Sequence, residues 1–87
     1  MQIPGGWTVH DTISAEDLEM FNNIVKGLVG VKYEPIKVAT QLVNGTNYCF
    51  ICKSVLISQD LREGIAKVSI YKPLQGDAVL TGIESIV

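Results

Sequence analysis

Eighty-seven residues suffice for one domain and leave no room for a second hydrophobic core. Apolar residues make up 47% and charged residues 18%, which excludes the disordered class, and the formal charge of −2 comes from scattered residues with no run of Lys or Arg. Neither a nucleic acid nor a membrane is therefore expected as partner: both favour a basic stripe, and no apolar run nears the roughly 18 residues a spanning helix needs.

In chain order, Met1-Gln2-Ile3-Pro4-Gly5-Gly6 has neither the basic n-region nor the apolar h-region of a signal peptide, so a cytoplasmic location is expected over secretion. Ser14-Ala15-Glu16-Asp17 reads as a helix start, with Ser14 as N-cap and acids in the first turn favoured by the helix dipole. Leu18, Phe21, Val25, Leu28 and Val29 then recur at the three-four spacing of one buried stripe. The spacing predicts a helix over 15–29, with Gly30 as the residue that ends it.

After Pro35 the chain reads as strand. Residues 36–43 alternate with period two, and Asn44-Gly45 is a strong hairpin signal because both residues tolerate the positive φ of a type I′ turn. The return strand, 46–57, puts Tyr48, Phe50, Cys52, Ser54 and Leu56 on one face. A polar turn over 58–64, a third strand over 65–72, a turn over 73–77 and a last strand over 78–87 complete the chain. The expectation is a single α+β domain, one N-terminal helix packed across a four- to five-stranded antiparallel sheet. The other face of that sheet carries Cys49, Ile51 and Val55, more apolar surface than one helix covers. Two explanations stand side by side, self-association and shielding by long side chains such as Lys37 and Lys53.

Residues able to do chemistry are few. Cys49 and Cys52 lie three apart on a strand and so face opposite sides, which prevents a bridge between them. A redox C-x-x-C belongs at a helix N-terminus, and zinc needs more ligands than His10 can add. Both thiols read as small hydrophobes, and no metal or cofactor is expected. His10 is the single histidine, with no nucleophile placed near it. Glu16, Asp17 and Glu19 form a solvated helix face, and Asp60, Glu63 and Asp77 favour turns. No enzymatic activity is expected. Asn44-Gly45-Thr46 matches a glycosylation sequon, which the hairpin explains without a glycan.

The segment Gln41-Leu42-Val43-Asn44-Gly45-Thr46-Asn47-Tyr48 resembles the Q-x-V-x-G hairpin of the cystatins and stefins, with the T-N-Y that commonly follows it. Gly5-Gly6 stands about eight residues before the helix, where cystatins carry their N-terminal glycine. Lys72-Pro73-Leu74 occupies the second hairpin, where many cystatins have Pro-Trp and stefins Leu-Pro; Leu74 is the departure from the Pro-Trp form. The resemblance spans nearly the whole chain, and the lack of paired disulfides is closer to the stefins and plant-type cystatins than to the disulfide-bonded secreted group.

This resemblance implies a cystatin-like fold and reversible, competitive inhibition of papain-like cysteine proteases. An N-terminal segment and two hairpin loops would fill the active-site cleft without presenting a cleavable bond. The implied contact residues are Gly5, Gly6, Gln41, Leu42, Val43, Asn44, Gly45, Pro73 and Leu74. Gln41 is expected to brace the hairpin, Gly45 to let the backbone come close to the protease, and Ile3 and Pro4 to enter an apolar pocket. The alternative is a non-inhibitory interaction or self-assembly module of the same fold, including a homodimer formed by domain swapping through Val43-Asn44-Gly45.

Overall fold

The computed structural model describes residues 6–57 and 62–86. Strand β1 (Thr8–His10) leads into helix α1 (Ala15–Val25), and β2 (Val31–Val43), β3 (Gly45–Leu56), β4 (Glu63–Lys72) and β5 (Val79–Ser85) follow. The strands form one antiparallel sheet in the order β1-β2-β3-β4-β5, a plain meander with β1 folded onto its leading edge. The α+β layout expected from the sequence is present, with five strands.

Ser14 caps α1 as its position suggests: its backbone is extended and its Oγ accepts from the Asp17 N–H at 3.1 Å. The helix stops at Val25, however, four residues earlier than the periodicity indicated. Lys26 closes it, its N–H donating to the Asn22 carbonyl at 3.0 Å, and the Leu28 N–H turns back to the Val25 carbonyl at 2.9 Å. The last turn holds no basic residue to complement the dipole, and Gly27 follows at once. Gly30 therefore does not end the helix. Its φ of +88° turns the chain into β2.

The buried stripe is also rotated from the expected one. Phe21 is fully buried, with Met20, Ile24 and Val25 packed beside it, whereas Leu18 is 39% exposed and Val29 93% exposed. Eleven residues make a helix of about 16 Å. With the helix ended at Val25, Val29 lies in the connection to β2 and stands in solvent, while Leu28 is half buried.

Phe21 meets Phe50 with ring centroids 4.8 Å apart and planes tilted by 51°, and Tyr48 stacks beside Phe50 at 6.0 Å. Val38, Cys52, Ala66, Val68 and Ile70 complete the core. Each fully buried large side chain contributes about 1.5–3 kcal/mol, and the Phe21–Phe50 pair about 0.5–1.5 kcal/mol more.

Three strand details differ from the sequence reading. β1 is too short to leave a periodic signal. β2 begins at Val31, and Pro35 lies within it opposite Cys52, where a register shift between Pro35 and Lys37 leaves Ile36 half exposed. A bulge accommodates a residue that has no N–H for the ladder. The first hairpin pairs Leu42 with Thr46 and Val43 with Gly45, so Asn44 alone forms its apex where a two-residue turn was expected. Residues 58–61, inside the turn expected over 58–64, and Val87 lie outside the described residues.

Cys52 is buried under the helix and Cys49 sits on the opposite face, both as free thiols. On that outer face Cys49, Ile51 and Val55 are half buried. Two exposed ion pairs span neighbouring strands, Lys53–Glu63 at 3.5 Å and Lys67–Glu84 at 3.4 Å.

Candidate functional site

The meander places three chain segments at one end of the sheet. β1 pairs Thr8 with Thr40, so Gly6 lies beyond the strand, toward the level of Leu42. The β2–β3 apex is next across the sheet, and the loop from Pro73 to Ala78 between β4 and β5 follows it. With strands about 4.8 Å apart, this edge is roughly 20 Å wide from β1 to β5.

Gln41 faces Asn47 across the ladder, and the Asn47 Nδ2 donates to the Gln41 Oε1 at 3.1 Å. The side chain braces the hairpin base, the structural role expected of it. Beyond it the apolar side chains turn outward: Leu42 is 78% exposed, Val43 50% and Leu74 75%. Asn44 is exposed at the apex and Pro73 is half buried beneath Leu74 in sequence. Leu74 therefore points to solvent and not into the core. Gly6 is half buried at the third position along the edge. Gly5, Ile3 and Pro4 lie outside the described residues.

Gly45 behaves differently from its expected role. It is buried, with φ +110°, and a Cβ there would lie 2.5 Å from the Lys72 carbonyl oxygen and 3.0 Å from both the Pro73 Cα and the Tyr71 hydroxyl. The close approach that demands glycine is made to the second hairpin of the same chain. The Tyr71 hydroxyl adds a second tie, donating to the Asn44 carbonyl. The two hairpins thus form one cross-braced unit.

Tyr71 was not found from the sequence. It faces Asn47 and Val79 in the ladder, and only the register that sets Thr46 opposite Lys72 reveals that its ring reaches the first hairpin.

His10 shares a hydrogen bond of 2.9 Å with the Thr40 hydroxyl across β1 and β2. Burial pushes the Cys52 thiol up to about 12, with the neighbouring Cys49 adding to the shift. Burial also raises Cys49, Lys67 opposing it and Glu84 adding to it. Thiols held protonated in this way are poor nucleophiles near neutral pH. Among the described residues no group of three or more His, Cys, Asp or Glu side chains is placed to hold a metal ion.

At the opposite end, on the helix side, an open trough of about 400 Å³ is lined by Val31, Tyr33, Leu56, Ala66 and Ile83, with Arg62 and Glu63 at its rim. No helix among the described residues is long and apolar enough to cross a membrane. No protein-family model matches the chain, and no curated protein shows significant similarity to it.

Proposed function

We propose that this chain is a reversible, competitive inhibitor of papain-type cysteine proteases with a cystatin-like layout. The observation that carries the reading is the edge at which Gly6, the first hairpin and the second hairpin lie side by side, with Leu42, Val43 and Leu74 turned to solvent. An edge of this kind fills a cleft by shape. Apolar tips displace water from the cleft walls, and tight loops that are already ordered lose little entropy on docking. The compact Asn44 apex resists the extended conformation a protease needs to cleave a bond, so the inhibitor leaves intact. The Q-L-V-N-G segment supports the reading from the side of sequence, since it supplies the first hairpin of that edge.

The test is a titration of active papain with increasing amounts of the protein, followed by mass spectrometry of the mixture. The expected result is a loss of activity that is linear below stoichiometry, reversed on dilution, with the chain unbroken. Full papain activity at micromolar protein, or cleavage near Asn44, refutes the reading.

The second reading, a self-assembly module without inhibitory activity, draws on the exposed β5 edge, where Val79, Leu80 and Ile83 are 38–51% exposed. A concentration-dependent dimer that leaves papain active would favour it.

A further inference from the structure

A half-buried side chain ties the two hairpins of the candidate edge together. Tyr71 lies on β4, one residue before the second hairpin, and its hydroxyl donates to the carbonyl of Asn44 at the apex of the first. That carbonyl belongs to the Asn44–Gly45 peptide. Gly45 in turn is seated against the Lys72 carbonyl and Pro73 Cα, the two positions that immediately follow Tyr71. One peptide plane is therefore fixed from both sides, by a hydroxyl on its oxygen and by a backbone floor under its glycine.

We propose that Tyr71 is a positioning residue whose hydroxyl pins the Asn44–Gly45 peptide, so that the first hairpin presents Leu42 and Val43 in fixed relation to Leu74 on the second. Its part in docking rests on the protease reading above; the clamp itself does not. The physical argument has two steps. An apex of one residue between strands of 13 and 12 residues has few internal contacts to fix its tilt, and the Gln41–Asn47 bond lies three positions back from it. A hydrogen bond from a neighbouring strand supplies the missing constraint. A surface made of two loops docks as one body only if the loops keep their spacing before contact, because any ordering left to the encounter reduces affinity.

The same peptide offers a chemical readout independent of any protease. In Asn-Gly sequences the glycine nitrogen attacks the Asn side-chain carbon. An N–C bond forms, the bond to the side-chain nitrogen breaks, and ammonia leaves. Water then opens the resulting succinimide to Asp or isoaspartate. The attack requires the Asn44–Gly45 peptide plane to rotate toward the Asn44 side chain, and a hydroxyl bound to its carbonyl opposes that rotation. Loss of the clamp should therefore speed deamidation at Asn44.

The experiment compares the full chain with Tyr71→Phe, which keeps the ring and removes only the hydroxyl. Thermal midpoints, deamidation of Asn44 followed by peptide mass spectrometry at mildly alkaline pH, and inhibition of papain are measured in parallel. A neutral hydrogen bond predicts roughly a two- to tenfold faster deamidation and a similar loss of affinity, with the midpoint shifted by only a few degrees. The Leu42→Ala and Leu74→Ala losses should be coupled in the natural chain and become additive in the Tyr71→Phe background. An unchanged deamidation rate overturns the clamp whatever the inhibition assay returns. Faster deamidation with unchanged affinity and unchanged coupling overturns its role in presenting the tips. A natural chain that leaves papain active refutes the protease reading and that role with it, and the clamp is then decided by the deamidation rate alone.

Discussion

Replacing Gly45 by alanine is the most direct probe of the contact between the hairpins, because the structure gives two separate costs for the added carbon. The backbone there has φ +110°, a region that residues with a Cβ occupy at about 1–3 kcal/mol. The new Cβ would also stand 2.5 Å from the Lys72 carbonyl oxygen, a backbone atom that moves only if the second hairpin moves with it. Forced packing of this kind adds about 1–3 kcal/mol. A combined destabilisation of about 3 kcal/mol lowers the thermal midpoint of a domain this size by roughly 12–24 °C, within the 5–15 kcal/mol that a small domain has to lose.

Gly27→Ala is the matched control. Nothing lies within 4 Å of a Cβ there and its φ is not positive, so a gain of about 0.4–1 kcal/mol is expected from the less flexible unfolded chain. Thermal unfolding followed by circular dichroism measures both, and hydrogen exchange locates the damage, which should concentrate on the amides of the two hairpins. A Gly45→Ala midpoint within about 3 °C of the natural chain would refute the packing argument.

The other expectations address affinity, pH and assembly. Leu74→Trp should tighten inhibition of papain by about three- to tenfold, chiefly through slower dissociation, since an indole extends an already exposed tip; a Trp variant with unchanged dissociation removes the second hairpin from the contact. Stability should fall as pH rises from about 9 toward 12, by at most about 1.4 kcal/mol per unit, because the Cys52 thiol keeps its proton in the folded chain over a range where the unfolded thiol has lost it. Cys52→Ala, although less stable throughout, should flatten that slope, and an identical slope in a pH series of chemical unfolding would assign the effect elsewhere. Partial unfolding and refolding at high concentration should yield a domain-swapped dimer in which β2 and β3 run on through Asn44; it should not inhibit, and a lone monomer peak on size exclusion counts against the hinge.

Local features were legible in the sequence, and features set by distant parts of the chain were not. Ser14 announced the helix start because a cap is a contact across three residues. The helix end was misplaced because Leu28 and Val29 prolong the apolar rhythm past Gly27, although the helix closes at Lys26, Leu28 is only half buried and Val29 stands in solvent. The opposite facing of Cys49 and Cys52 followed from strand parity, whereas the bulge at Pro35 and the one-residue apex at Asn44 depend on register. The likeness of Q-L-V-N-G to a known hairpin drew attention to the hairpin end of the sheet but attached Gly45 to an outside partner. Its neighbours are Lys72 and Pro73, 27 and 28 positions away, and no local pattern encodes that distance.

Apolar exposure alone would not single out this edge, since Val29, Ile57 and Ile86 are exposed at the other end of the molecule as well. The two ends differ in what lies behind the apolar side chains. Leu42 and Val43 project from a hairpin whose base is braced by Gln41 and Asn47 and whose apex is held by Tyr71 and the floor beneath Gly45. Val29, by contrast, belongs to the short connection between α1 and β2, outside both elements. Burying Leu42 or Leu74 in a core would stabilise the fold by about 1.5–3 kcal/mol each, so their outward position gives up stability that the same residues could have supplied. A rigid support beneath side chains that contribute little to folding is the arrangement expected where those side chains act on something outside the chain. That inference is about rigidity, and on the protease reading proposed above it makes the clamp at Asn44, more than hydrophobic exposure itself, the feature that distinguishes this end.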